Sequence, residues 1–158
     1  MSRVLALPEI ELAVAEWRRD GAVIVLASGH FDPLHIGHHQ HFKAARKLGN
    51  VLVVAVTADA QVTKGPGRPR FPEHERAEAV ADLSFVDAVV VNDHPDATPL
   101  LLSLRPHVYA KGAEYAGRKT PALLAEEAAV ASYGGHMAFL SGVSVYSSTT
   151  LLAGAAHA

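Results

Sequence analysis

The feature that most constrains this chain is a regular alternation of short, almost uncharged apolar runs with helix-like segments. Ala22–Ala27, Val51–Val56 and Val86–Val91 are near-continuous apolar runs, and His107–Ala110 and His136–Leu140 are shorter ones. A strand whose two faces are both covered has no need for polar alternation, so such runs read as buried parallel strands. Between them lie segments with helical periodicity. Ile10, Ala13, Val14 and Trp17 fall on one face, with Pro8 near the start and Gly21 just past the end. Further helices are expected over about 35–48 ahead of Gly49, in a segment opened by Pro72, near 98–104, and over 121–133. Strands that alternate with helices require right-handed crossovers. The expected architecture is therefore α/β, a Rossmann-like, doubly wound, five-stranded parallel sheet. The 158 residues form one domain with its core over about 10–152, since no composition break, low-complexity tract or repeat divides them. In such sheets ligands bind at the carboxyl ends of the strands, where the strand order reverses. The informative residues are therefore those just after strands.

Composition removes several classes of function. There is no cysteine, so disulfides and thiolate chemistry are absent. A formal net charge of −2 argues against broad nucleic-acid binding, which needs a basic surface. No run reaches a membrane span, and the first ten residues, which include Pro8 and Glu9, lack the pattern of a secretory signal. A cytoplasmic protein with small-molecule partners, and with neither membrane nor nucleic acid among them, is the expectation.

The segment after the first strand carries the chemistry. It reads Ser28-Gly29-His30-Phe31-Asp32-Pro33-Leu34-His35-Ile36-Gly37-His38 and leads into the second helix. Gly29 permits a close backbone approach, and Asp32 before Pro33 suits a sharp loop. Gly37 in the first helical turn lets a phosphate approach exposed amide N–H groups, with His35 and His38 on either side. Attack at phosphorus builds negative charge on equatorial oxygens, so donors placed there stabilise the transition state preferentially. Histidines three or four apart also share a helix face, and His35, His38, His39 and His41 could instead hold a metal. No carboxylate follows at the spacing of a zinc protease, and Gly37 is better explained by phosphate approach. His39 and His41 are read as bystanders. The loop lacks the second and third glycines of a dinucleotide fingerprint, which removes a Rossmann dehydrogenase.

Other strand ends add charge. Thr57-Ala58-Asp59 follows the second strand, and Lys64, Arg68 and Arg70 sit in a glycine- and proline-rich loop suited to a phosphorylated acceptor. Arg76 lies a turn inside the next helix. Lys111-Gly112-Ala113-Glu114-Tyr115 follows the fourth strand, and Ser147-Ser148-Thr149-Thr150 is a longer hydroxyl run than helix capping requires.

Gly29-x-Phe31-Asp32-x-x-His35-x-Gly37-His38 resembles the signature of the cytidylyltransferase-like nucleotidyltransferases. The order of Lys64-Gly65-x-Gly67-Arg68-Pro69, Arg76, Val86-Asp87 and Lys111-Gly112 is most similar to the nucleotidyltransferase domain of heptose-1-phosphate adenylyltransferases. Ser28, His30, Ala113 and Glu114 depart from the pattern usual there. The resemblance implies that His35, His38, Lys64 and Arg76 are catalytic. It implies a nucleotide site made of Gly29, His30, Phe31, Asp32, Gly37, Lys111, Gly112, Ser147, Ser148 and Thr149, with Asp32 orienting the site or its Mg²⁺. Asp59, Lys64 and Arg68 would bind the acceptor. No protein-held metal is expected; Mg²⁺ would serve a triphosphate, ATP or CTP, which needs counter-charge. A phosphate-bound histidine should have a raised pKa. The resemblance further implies a homodimer and transfer of a nucleotidyl group, AMP from ATP, to a sugar phosphate such as heptose 1-phosphate. The alternatives are CTP with glycerol 3-phosphate or another polyol or phosphonate acceptor, and a non-catalytic nucleotide-binding module.

Overall fold

In the computed structural model, which describes residues 3–141, five parallel strands are ordered β3-β2-β1-β4-β5. The strands are β1 (Ile24–Gly29), β2 (Val51–Thr57), β3 (Ala88–Asn92), β4 (Val108–Gly112) and β5 (His136–Leu140). Helix α1 (Leu7–Arg19) precedes β1, and four helices connect the strands: α2 (Ile36–Arg46), α3 (Glu73–Ala81), α4 (Thr98–Leu104) and α5 (Pro121–Ser132). The expected α/β, doubly wound, five-stranded sheet is the observed one. The chain winds outward from β1 through β2 to β3, then returns to pair β4 against the other side of β1. The switch point lies between β1 and β4.

The apolar runs are continuous because both faces of the sheet are buried. Ile24, Leu26, Val53, Val90 and Tyr109 pack with Ile10, Val14, Leu101 and Val130 beneath α1, α4 and α5. Val25, Ala27, Leu52, Val54 and Val89 pack with Phe42, Ala77 and Val80 beneath α2 and α3. Alternate residues of one strand thus serve opposite layers, as the two-residue period of a strand demands.

Two features depart from the sequence reading. Strands β1, β3 and β4 run one to two residues later than the apolar runs, ending at Gly29, Asn92 and Gly112. Their last residues, two of them glycines, pair in register with a neighbour, as Gly29 does with Val56. The segment before α1 also pairs with the sheet: Val4 bridges Val89 in parallel, and Leu5 N–H donates to the Val89 carbonyl at 2.8 Å. Arg3 supports this edge by donating to the carbonyls of Leu83 and Val86.

Asp87 is an acid at the start of the apolar β3 run, and its role is local. One carboxylate oxygen accepts the Leu52 N–H at 2.8 Å and faces Arg46 Nε at 3.1 Å. Asp87→Ala leaves that amide unpaired and should lower the unfolding free energy by about 1–2 kcal/mol, measured by urea titration.

Candidate active site

The loop that links β1 to α2 is shaped by Phe31. Its backbone adopts φ 53°, a left-handed conformation rare for a side-chain-bearing residue. This turns the ring back beneath the loop, where it meets the edges of His38 at 4.9 Å and Phe42 at 5.0 Å. A Cβ on Gly29 would lie 2.8 Å from the Phe31 ring, so glycine is required at that strand end.

Asp32 is fully buried and holds the loop down. Its carboxylate accepts the backbone N–H groups of Arg70 and Phe71 and the Nε–H of Arg68, at 2.8–2.9 Å. Arg68 also donates to the Asp32 carbonyl at 2.8 Å. Burial pushes the Asp32 carboxyl up, but the two amides and the guanidinium outweigh it and leave the pKa below the ordinary value. Arg76 is a second buried clamp. It donates to the carbonyls of Phe71, His30 and Thr57 and to an Asp59 carboxylate oxygen, all at 2.7–2.8 Å.

The amino end of α2 is closed by two imidazoles. His35 occupies the N-cap, and its Nδ1 accepts the Gly37 N–H at 3.0 Å. His38 reaches back so that its Nδ1 accepts the His35 N–H at 3.2 Å. The rings stack at 3.7 Å. A nitrogen that accepts a hydrogen bond carries no proton, so both rings are neutral Nε2–H tautomers. His35 Nε2 is buried without a partner, an orphaned donor. Burial, followed by the charges of His35, His41 and Lys64, takes the His38 pKa down to about 3. Burial and then Lys64 lower His35. Burial, with Lys64, Arg76 and Arg68 outweighing Asp32, takes His30 to about 4. The raised pKa expected from sequence belongs to a phosphate-bound histidine; in the ligand-free site burial is the largest cause of the lowered values. These folded-state values lie below the unfolded value, so stability is retained above pH 6.5 and lost as pH falls toward 3.

A cleft of about 420 Å³ opens at the switch point, within the roughly 300–1,000 Å³ of small-molecule sites. Of the residues singled out in the sequence, Gly29, His30, Phe31, His35, Gly37, His38, Lys64, Lys111 and Gly112 line it. Four expected site residues do not. Asp32, Arg68 and Arg76 lie behind the wall, their polar groups taken up by the loop's own backbone and by one another, and Asp59 is half-exposed outside the cleft with one carboxylate oxygen on Arg76. Both carboxylate oxygens of Asp32 accept hydrogen bonds from the segment over 68–71 and so tie the loop down. Ser147, Ser148 and Thr149 lie outside the described residues. His39 packs edge-on against Phe85, away from the cleft. His41, expected to be a bystander, lines the cleft one turn beyond His38. Burial and then Lys111 lower its pKa against the opposing charge of Glu114.

Sequence reasoning also missed Thr57, the loop over 92–97, Thr120 and Glu126, all of which line the cleft. The loop could have been found, because it follows a strand at the ligand-binding edge. Glu126 carried a fainter signal, an acid within the otherwise apolar buried stripe of α5. Among the described residues no group of three or more His, Asp or Glu side chains is placed to hold a metal ion.

This combination of loop, imidazole pair and switch-point cleft has relatives. Residues 26–149 match the family model described as cytidylyltransferase-like. The chain belongs to the cytidylyltransferase-like family. Membership makes it a nucleotidyltransferase. It is 39% identical over 137 residues to the bifunctional protein HldE of Syntrophotalea carbinolica, covering 85% of this chain and 27% of that one. It is 41% identical over 157 residues to the bifunctional protein HldE of Streptomyces coelicolor, covering 96% and 33%. The chain thus spans about a third or less of these relatives. A lipopolysaccharide core biosynthesis protein from Thermoplasma volcanium aligns with a TM-score of 0.63 at 28% identity, over 80% of this chain and all of that one.

The buried latch yields a sharp expectation. Asp32→Asn places an amide donor against donors and removes a buried charge, which should cost about 3 kcal/mol of folding stability. Because the folded pKa is depressed, the wild-type advantage is fully present above the ordinary carboxylate value and is lost as pH falls through the folded one. Denaturant titrations from about pH 7 to about pH 2 should show the gap closing only below about pH 4. A gap that does not change with pH would contradict the latch.

Proposed function

We propose that this domain transfers AMP from ATP to a sugar phosphate of the heptose 1-phosphate class, releasing pyrophosphate. The observation that carries the reading is the pair of neutral imidazoles at the amino end of α2, with the unpartnered Nε2 of His35 and the cations of Lys64 and Lys111 lining the same cleft. Neutral donors in a partly dry site favour the developing charge of a transition state without drawing a strong ground-state ion pair. The sugar-phosphate acceptor is supported by the resemblance to heptose-1-phosphate adenylyltransferases and by the names of the relatives.

In this mechanism an oxygen of the acceptor phosphate attacks the α-phosphorus in line and the pyrophosphate group leaves. A phosphate is already a competent nucleophile, so no covalent enzyme intermediate is required. His35 and His38 donate through Nε2 to the equatorial oxygens. The Gly37 region of α2 directs its helix dipole at the same charge. Lys64 and Lys111 neutralise the triphosphate. Burial, followed by the charge of Arg68, lowers the Lys64 pKa against the opposing Asp32 carboxylate. An incoming phosphate reverses that environment and favours the ammonium form. Asp32, Arg68 and Arg76 act by holding the loop. Ser148 and Thr149, with Ser147, take the remaining phosphate contacts on the strength of the resemblance. A Mg²⁺ carried by the triphosphate would supply counter-charge to the leaving group beside that of Lys64 and Lys111.

The test is Mg²⁺-dependent pyrophosphate release with ATP, CTP, GTP or UTP, each against heptose 1-phosphate and glycerol 3-phosphate. ATP with the heptose phosphate is the productive pair on this reading. Release only with CTP and glycerol 3-phosphate keeps the mechanism and reassigns the substrates, while nucleotide binding without release identifies a binding module. His38→Ala should lose at least ~2 kcal/mol of transition-state stabilisation in addition to the about 1–2 kcal/mol of unfolding free energy that an unpaired His35 N–H costs. Equal losses of activity and stability would reduce His38 to a helix cap.

A further inference from the structure

Across the cleft from the two imidazoles, a carboxylate is buried in a helix face that is otherwise apolar. Glu126 of α5 shares its inward face with Leu123, Ala129 and Val130 and is 5% exposed. Its Oε2 accepts the Ala97 N–H at 2.9 Å and the Tyr109 hydroxyl at 3.1 Å. Its Oε1 faces Lys111 Nζ at 3.7 Å. The Tyr109 hydroxyl meets Ser28 Oγ at 2.6 Å, at the end of β1. Burial, then the Glu126 charge, pushes the Tyr109 phenol well above its ordinary pKa, so it remains a donor to the carboxylate.

Packing alone does not account for this residue. Taking a carboxylate out of water is costly, and an apolar side chain would fill α5 as well. What the carboxylate provides is a joint between three parts of the cleft wall. Through Ala97 it ties down the loop over 92–97, where Asn92 Nδ2 also donates to the Asp96 carbonyl at 3.0 Å. Through Tyr109 it reaches Ser28. Through Oε1 it fixes an ammonium that would otherwise follow its flexible four-carbon stem toward solvent. Lys111 Nζ lies 5.5 Å from the Tyr109 ring centre and 4.6 Å from that of Tyr115, which leaves the carboxylate to set its position between the rings.

We propose that Glu126 is a positioning residue for nucleotide transfer, which holds Lys111 and the wall at Ala97 in the arrangement that receives the triphosphate. The proposal rests on reading the cleft as a triphosphate site. Its test is a double-mutant cycle on the full chain, with ATP affinity measured calorimetrically in Mg²⁺ and thermal unfolding recorded for every variant. Glu126→Gln keeps the size and an acceptor but removes the charge, and Lys111→Met removes the cation. Each should weaken ATP binding about tenfold, and the double variant should be no more than about twofold weaker than Lys111→Met alone. Losses that multiply to about a hundredfold, or an unchanged affinity in Glu126→Gln, would overturn the proposal. A purely structural Glu126 would move the unfolding temperature and show no coupling to Lys111. If Glu126→Gln fails to fold, Tyr109→Phe takes its place, since it removes only the hydroxyl and keeps the ring. Its expected loss of about threefold should vanish in the Lys111→Met background, and its persistence there would overturn the proposal. A wild-type chain that binds ATP but releases no pyrophosphate with any acceptor refutes the transfer reading, while the cycle still decides Glu126. A wild-type chain that binds no nucleotide refutes both.

Discussion

A helix begins with amide N–H groups that have no partner in the helix itself, and most helices meet that need with a hydroxyl or a carboxylate. Here α2 meets it with two imidazoles, each accepting through Nδ1. Much of the site depends on that choice. It fixes the tautomer of both rings, holds them neutral, and leaves Nε2–H as the remaining donor of each. It also brings the rings into a stack at 3.7 Å, so neither turns without disturbing the other. A serine in the same position would cap the helix with the same oxygen that carries its proton, whereas an imidazole carries its donor on the far side of the ring.

The rest of the loop supports the imidazole pair. Phe31 stands edge-on to His38 and needs Gly29 bare beneath it. Asp32 and Arg76 bind the loop to the segment over 68–76 through backbone groups. A division of labour between cations follows. The guanidinium groups of Arg68 and Arg76 are planar forks, suited to fixed carbonyl and carboxylate partners, and both are spent on the scaffold. The two cations that line the cleft are lysines, Lys64 and Lys111. Their flexible stems can follow phosphate oxygens.

The sheet was legible in the sequence because strands buried on both faces lose their polar alternation, and Ile24 to Ala27 show why: consecutive residues enter opposite cores. The imidazole site was legible because Gly29, His35, Gly37 and His38 are spaced along one strand-to-helix turn. Arg68, Arg76, Asp32 and Asp59 were placed at the ligand because residue type reveals charge but not what the charge faces. Whether a guanidinium meets a phosphate or a carbonyl depends on contacts across 36 to 46 residues of sequence, such as Arg68 to Asp32 and Arg76 to His30. Glu126 escaped for a related reason. Its partners come from two separate elements, Ala97 from the loop before α4 and Tyr109 and Lys111 from β4, and nothing local marks them as its neighbours. The edge bridge at Val4 was hidden because a single paired residue has no periodicity to detect.

The central claim is the tautomeric state of the two imidazoles, and nitrogen chemical shifts of the histidine rings measure it directly. In the ligand-free protein at about pH 7, long-range ¹⁵N–¹H correlation spectra of histidine-labelled protein should show His35 and His38 as neutral rings protonated at Nε2. The His38 signals should not titrate down to about pH 5, because its folded pKa is depressed to about 3, and those of His35 should titrate below the ordinary histidine value. A cationic His38 at neutral pH, or a proton on Nδ1 of either ring, would contradict the account.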